Sequence, residues 1–314
     1  MKKILFIMVP IAAINREKDS TFALMVAAQQ AGHTLYYAGS DALQLRDGDV
    51  FATAAPLQVD NQALPYFHFL ATPSIQSLKT IDIVFMRLDP PVTLHYFYLT
   101  HLLDLAEKNG TQVINRPSSL RDCNEKLFAQ WFPQCCPPTL VTQHIPPLKT
   151  FLQEQQRIIV KPLDGMGGRG IFYLEEQDKN KNAIFESATH YGTQLIMAQR
   201  FLPEIALGDK RITMIRGKPL EYAVARIPAG DEIRGNLAAG GVAKILPLTT
   251  RDRWLCAQVA PTLQARGLHW VGLDVIGDYI TEINVTSPTC LREVAAYAQP
   301  GLLDQIFQAL IAEA

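Results

Sequence analysis

Ile158-Ile159-Val160-Lys161-Pro162-Leu163-Asp164-Gly165-Met166-Gly167-Gly168-Arg169-Gly170 is the stretch on which the fold turns. An apolar run of strand character delivers Lys161 into a loop with four glycines in six positions. With no Cβ in the way, backbone N–H groups can close on an anion, and the lysine adds a point charge. The segment therefore reads as a phosphate cradle. It matches neither G-x-x-x-x-G-K-[ST] nor a loop opening into a helix, so it is neither a Walker loop nor a Rossmann turn. A plain glycine-rich turn after a strand has the same local look, and the surrounding chain has to decide.

Immediately around it, strand patterns over 139–142, 157–161, 171–174 and 194–199 alternate with helical patterns over 148–155 and 182–191. These imply a small antiparallel sheet under two short helices, with the glycine loop at a hairpin tip and the whole unit able to act as a lid. Upstream, strands over 3–9, 33–38, 81–86 and 112–114 alternate with helices over 21–30 and 94–108, the order of a small parallel α/β domain. Ligands of open α/β sheets sit beyond the carboxyl ends of strands, which directs attention to 10–21 and 87–91. A boundary falls near 120–126, where Asp122 and Glu125 have capping-box spacing ahead of Leu127, Phe128, Trp131 and Phe132. Downstream come a hairpin over 210–215 and 220–226, a glycine-rich loop over 227–242, and a helix over 251–266. Strands over 269–276 and 280–285 and a helix over 302–312 close the chain. The loop is too long for a tight turn and reads as a cover over an active site. The expected architecture is α/β (α+β) in three parts: 1–121, 122–200 as a lid, and 201–314 around an antiparallel sheet.

The 314 residues, 48% of them hydrophobic, suffice for two or three cores, and 29 basic against 30 acidic residues leave no footprint for nucleic acid or a polybasic membrane surface. The six apolar residues between Lys3 and Pro10 read as a first strand, not a signal peptide, and no apolar run approaches about eighteen residues. Five cysteines without C-x-x-C spacing read as reduced thiols of a cytoplasmic protein, and the histidines show no zinc spacing.

The most informative chemistry lies in Asp274-Val275-Ile276-Gly277-Asp278-Tyr279-Ile280-Thr281-Glu282-Ile283-Asn284. Glu282 and Asn284 are two apart on a strand and share a face, and Asp274 from the preceding strand would add a third oxygen donor. Such a set suits Mg²⁺. Asp274 lies opposite Glu282 if the turn has three residues and opposite Thr281 if it has two, so the three-residue turn Gly277-Asp278-Tyr279 is expected. Carboxylates for a metal, Lys161 and Lys126, a glycine loop and a covering loop are the parts that hold ATP for phosphoryl transfer. Arg211 and Arg226, on consecutive strands, present forks suited to a transferring phosphate or a carboxylate.

In this order the motifs are recognisable. Arg121-Asp122-Cys123-Asn124-Glu125-Lys126-Leu127-Phe128, Lys161-Pro162-Leu163-Asp164-Gly165-Met166-Gly167-Gly168, Gly208-Asp209-Lys210-Arg211, Ala225-Arg226-Ile227-Pro228, Arg234-Gly235-Asn236-Leu237-Ala238-Ala239-Gly240-Gly241 and Thr281-Glu282-Ile283-Asn284-Val285-Thr286-Ser287-Pro288-Thr289-Cys290 resemble blocks of the ATP-grasp superfamily. Within it, the chain is most similar to the bacterial ligases that join γ-glutamylcysteine to glycine.

The resemblance implies that ATP phosphorylates the cysteinyl carboxylate of the dipeptide and that glycine displaces the phosphate. By position it puts Lys126, Lys161, Gly165, Gly167 and Gly168 on the ATP phosphates. Gln199, Phe201 and Leu202 would line the adenine, with Asp209 near the ribose. Asp274, Glu282 and Asn284 would hold Mg²⁺, or Mn²⁺, and Arg211, Arg226 and Arg234 would act on the transferring group. Arg87 and Arg292 are further candidates for substrate carboxylates, and a homotetramer is implied. Val9 stands where an acidic residue is common, Leu88 where a lysine is expected, and Val242 where an arginine is usual. Two other readings are a ligase of the same architecture that adds another amino acid, such as glutamate, and a nucleotide-binding protein of this fold without turnover.

Overall fold

The computed structural model describes residues 1–230, 232, 235 and 240–312. The chain opens with β1 (Lys3–Met8), buried after its first residue, and α1 (Ser20–Gln30), begun by Asp19, whose carboxylate accepts from the Phe22 N–H at 2.6 Å. β2 (Thr34–Ala38) lies parallel to β1. Four strands without a sequence signal follow: β3 (Leu43–Arg46), β4 (Asp49–Val59), β5 (Phe67–Phe69) and β6 (Ser74–Ser77). Then come β7 (Ile83–Arg87), α2 (Leu94–Lys108) and β8 (Gln112–Ile114). The backbone order of the first sheet is β3-β4-β2-β1-β7-β8, with β5 and β6 also paired to β4.

The expected wholly parallel domain is therefore corrected to a mixed sheet. β1, β2, β7 and β8 are parallel, but β4 runs antiparallel to all its partners. β3, β5 and β6 are three or four residues long and largely exposed, so they carry no clear alternation of apolar and polar side chains.

The boundary is built differently from the expected capping box. Asp122 ends α3 (Pro117–Asp122), and Asn124 is the residue that caps, its Oδ1 accepting from the N–H groups of Lys126 (3.1 Å) and Leu127 (3.0 Å). Only a short 3-10 helix, Phe128–Trp131, follows. Glu125 faces the other way, toward residues 285–286.

β9 (Thr139–Thr142), α4 (Ile145–Gln155), β10 (Arg157–Pro162), β11 (Phe172–Glu175), α5 (Lys181–Ala188) and β12 (Ile196–Arg200) make the second sheet, antiparallel in the order β11-β10-β12-β9. Leu148, Leu152 and Phe185 of its helices bury against Ile158, Val160 and Leu174, each worth roughly 2 kcal/mol of transfer free energy. The glycine loop joins the antiparallel neighbours β10 and β11, as a hairpin tip should.

β13 (Asp209–Ile215), β14 (Lys218–Ile227), β15 (Val242–Pro247), α6 (Thr250–Ala265), β16 (Trp270–Ile276), β17 (Tyr279–Asn284), α7 (Leu291–Tyr297) and α8 (Leu302–Ile311) complete the chain. The third sheet runs β15-β14-β13-β16-β17 and is antiparallel throughout. β15 and α7 had no expectation. α8 returns to the first domain, where Phe307 and Leu310 join Phe6 and Phe22 in one core. No helix among the described residues is long and apolar enough to cross a membrane.

Candidate active site

Cross-strand register places the charged residues of the third sheet on one face. Asp209 lies opposite Arg226, Arg211 opposite Asp274, Asp274 opposite Glu282, and Gly272 opposite Asn284. Residues two apart on a strand point the same way, so six polar side chains converge without any special loop. The route to this register corrects the expected turn. Ile276 pairs with Tyr279, so the turn is the two-residue Gly277-Asp278, which in an unbroken ladder would set Asp274 against Thr281. A register shift between Asp274 and Val275 leaves Thr281 without a cross-strand partner and restores the Asp274–Glu282 pair.

Four of these groups form a buried network. The Asp274 carboxylate accepts from Arg211 Nε at 2.5 Å and Nη2 at 3.1 Å, and Arg226 Nη2 lies 3.0 Å from its Oδ2. Arg226 also donates to Asp209 Oδ2 at 2.5 Å, while Asp209 Oδ1 is buried with no hydrogen-bond partner among the described residues. Burial alone would raise Asp274, but Arg211 and Arg226 outweigh it and hold this carboxyl well below the usual range. Asp209 goes the other way, pushed up to about 7 by burial against the pull of Arg226. The lone oxygen and the raised pKa mark Asp209 as the group in the network with unfilled bonding capacity.

Glu282 faces the lysines. Lys126 Nζ and Lys161 Nζ both lie 3.5 Å from Glu282 Oε1, and Lys126 Nζ donates to the Gly165 carbonyl at 2.7 Å. Burial would raise Glu282, yet Lys126 and Lys161 hold it below its ordinary value. Burial lowers Lys161, with Glu282 opposing.

These groups divide a cleft into two compartments that share Gly165, Met166, Gly167, Asp274 and Glu282. One has an apolar wall of Ile159, Ile171, Phe201, Leu202 and Ile276, with Gln199, Asp209, Gly168 and both lysines at its polar end. The other is polar, with Arg211, Arg226, Asn284, Thr286, Ser287 and Thr289. Of these two compartments, Lys126 and Lys161 line only the first and Arg211 and Arg226 only the second.

A family model described as the prokaryotic glutathione synthetase ATP-grasp domain matches residues 125–299, and one for the N-terminal domain of the same proteins matches residues 2–121. The chain belongs to the prokaryotic glutathione synthetase family. It is 49% identical over 307 residues to the glutathione synthetase of Xylella fastidiosa (strain Temecula1), covering 98% of each chain. It is 50% identical over 307 residues to that of Pseudomonas aeruginosa, covering 98% of this chain and 96% of the relative. Among solved structures, D-cycloserine synthetase aligns with TM-score 0.67 at 12% identity over 98% of both chains. An ATP-grasp ligase complexed with a minimal precursor, Mg and ADP aligns with TM-score 0.62 at 17% identity, over 98% of this chain and 97% of that one. These last two show the ATP-grasp fold, with its mixed α/β content and several sheets.

Against that frame of family and fold, Lys126, Lys161, Gly165, Gly167, Gly168, Gln199, Phe201, Leu202, Asp209, Arg211, Arg226, Asp274, Glu282 and Asn284 all line the cleft. Arg87 and Arg292 do not. Arg87 is 4% exposed, donates to Thr21 Oγ1 (3.0 Å) and to the carbonyls of Thr286 (3.4 Å) and Pro288 (2.8 Å), and stacks on Trp270. Two of its hydrogen bonds tie the end of β7 to residues 286 and 288. Arg292 donates to Asp19 O and Asn61 Oδ1 at the domain interface. Arg234 lies outside the described residues. Of the departures from the family pattern, Leu88 is buried in the core while Val9 and Val242 are exposed.

Phe201 and Leu202 of the apolar wall were expected, while Ile159, Ile171 and Ile276 were missed. Two of these had a signal, since Ile159 is two residues before Lys161 on β10 and Ile276 two after Asp274 on β16. Glu125 and Thr286 to Thr289 had no comparable signal as site residues, because tertiary contacts alone bring them together.

Proposed function

We propose that the cleft joins γ-glutamylcysteine to glycine in two steps, phosphorylation of the dipeptide's cysteinyl carboxylate by ATP and displacement of that phosphate by the glycine amine. Family membership makes the chain an ATP-dependent ligase of glutathione synthesis. The observation that carries the two-step reading is the division of labour in the cleft, with Lys126 and Lys161 on one side of Asp274 and Glu282 and Arg211 and Arg226 on the other.

In this reading the apolar wall with Gln199, Phe201 and Leu202 takes the adenine, Asp209 the ribose, and Lys126, Lys161 and the glycine-loop N–H groups the phosphates. A carboxylate oxygen of the dipeptide attacks the γ-phosphorus in line, ADP leaves, and an acyl phosphate forms. Arg211 and Arg226, already pointing into the second compartment, neutralise the charge on the phosphoryl oxygens as they pass from the lysines. The glycine amine then attacks the acyl carbon, inorganic phosphate departs, and the amine proton is released. Water would hydrolyse the acyl phosphate, which gives segment 227–242, with Arg234, its proposed task as a cover.

The donor set fits a hard divalent cation. Asp274 and Glu282 pair across β16 and β17, and Asn284, two residues after Glu282 on the same strand face, offers an amide oxygen as the proposed third donor. Mg²⁺ held there, or Mn²⁺, would supply electrostatic stabilisation to the phosphate oxygens. Asp274 would hold it at the expense of its bonds to Arg211 and Arg226, which would leave those guanidiniums available to the phosphoryl group.

ADP release measured with purified protein, ATP, Mg²⁺ and γ-glutamylcysteine tests the proposal. Release should require glycine; turnover indifferent to glycine, or equally good with glutamate, would sink it. A cytoplasmic homotetramer completes the proposal, and light scattering at working concentration checks the tetramer.

A further inference from the structure

The acceptor compartment is bounded by residues 286, 287 and 289, which have no regular structure and follow directly on β17, the edge strand of its sheet. Something must hold them. Glu125 Oε1 accepts three hydrogen bonds from this segment: Val285 N–H at 2.9 Å, Thr286 N–H at 3.1 Å and Thr286 Oγ1–H at 2.9 Å. The Glu125 carbonyl accepts a fourth from Ile283 N–H at 2.8 Å. From the opposite side, Arg87 donates to the carbonyls of Thr286 and Pro288. An anion thus takes the N–H groups of the segment and a cation its carbonyls, and the neighbour of Glu125 in sequence is Lys126 of the nucleotide compartment.

We infer that Glu125 is a positioning residue for the acceptor carboxylate: with Arg87 it clamps residues 285–288 so that Thr286 and Ser287 present a fixed surface to the γ-glutamylcysteine dipeptide. The inference rests on the ligase reading above. It deepens that reading by separating the two compartments energetically: the clamp acts on the dipeptide side, and ATP binding depends on it little.

Three hydrogen bonds meet on one Glu125 oxygen, so withdrawing that oxygen disturbs all three together and should move affinity about tenfold or more. Glu125→Asp withdraws the oxygen by one methylene. Its KM for γ-glutamylcysteine should rise at least about tenfold while KM for ATP moves less than about threefold. Glu125→Gln keeps an acceptor oxygen at the same reach and should hold the dipeptide KM within about threefold of wild type. Amide hydrogen exchange at Val285 and Thr286 should speed up in Glu125→Asp and not in Glu125→Gln. An unchanged dipeptide KM in Glu125→Asp, an equal loss for ATP and dipeptide, or a Gln variant as impaired as Asp would each overturn the assignment. Wild-type protein without glycine-dependent turnover would instead bring down the ligase reading, and the exchange rates would still judge the clamp.

Discussion

Asp274 faces Glu282 across β16 and β17 because Thr281 drops out of the ladder between them. The same irregularity leaves the Thr281 carbonyl 3.4 Å from Lys161 Nζ, and the Thr281 hydroxyl donates to the Asp274 carbonyl at 3.3 Å. One extra residue therefore sets the carboxylate pair and gives Lys161, near the end of β10, a second partner. Bulges do this elsewhere by re-aiming side chains beside functional sites.

Glu282 is the point where both compartments meet both lysines. Glu282→Gln keeps the shape and removes the charge, so turnover should fall by at least about 100-fold while the thermal midpoint moves only a few degrees. Steady-state ADP release and a calorimetric melt on the same sample check this. A variant of near-normal rate would remove Glu282 from the proposed metal site.

Arg226 bridges two buried carboxylates, Asp209 and Asp274. Removing it in Arg226→Met leaves like charges facing each other without water, and breaking such a buried pair costs about 3–5 kcal/mol. Urea denaturation at pH 7 should show a loss of that order. The loss should grow at pH 8.5, where Asp209 is ionised beside Arg226 in the wild type but must give up its proton against Asp274 in the variant. Arg226→Lys should fall between, because an ammonium has no fork to span both acids. Equal destabilisation at both pH values would mean that packing, not charge, explains the effect.

Much of this site was readable from sequence wherever a strand face carried it. The i, i+2 spacing of Glu282 with Asn284, and the helix bounds 94–108, emerge as read. Three things did not emerge, each for a physical reason. β3, β5 and β6 are short and exposed and so lack a pattern. The Thr281 irregularity leaves no mark in composition, since a two-residue Gly-Asp turn and a three-residue one share the same letters. Arg87 looked available because it follows a strand end, but its guanidinium is committed to carbonyls some two hundred residues away, a contact only the tertiary fold creates.

Gly272 shows how little room the site leaves. A Cβ added there would lie 2.8 Å from Arg211 Cδ and 3.1 Å from Pro288 Cβ. The proline ring is rigid, so the arginine stem has to yield and its fork leaves Asp274. Gly272→Ala should lose about 1–3 kcal/mol of stability by overpacking. It should also lower kcat about tenfold if a displaced Arg211 forfeits about 1.4 kcal/mol of transition-state stabilisation. Retention of full kcat with the stability loss alone would show that Arg211 reaches its working position by another path.

His269 supplies a pH dependence remote from the chemistry. Its Nδ1 is buried without a partner among the described residues, and burial, then Arg216 and Arg116, hold the imidazole down at about 4 against an ordinary 6.5. Between those values the unfolded chain binds a proton that the native state refuses. Stability contributed by the neutral ring is therefore complete above about pH 6.5 and drains away as pH falls toward 4. At 1.36 kcal/mol per pKa unit, and allowing for partial exposure, the loss should reach roughly 2 kcal/mol. Urea midpoints of wild type and His269→Gln, measured from pH 7.5 to 4.5, should converge at the acid end. Curves that stay parallel throughout would show that His269 takes its proton as readily in the folded protein as in the unfolded chain.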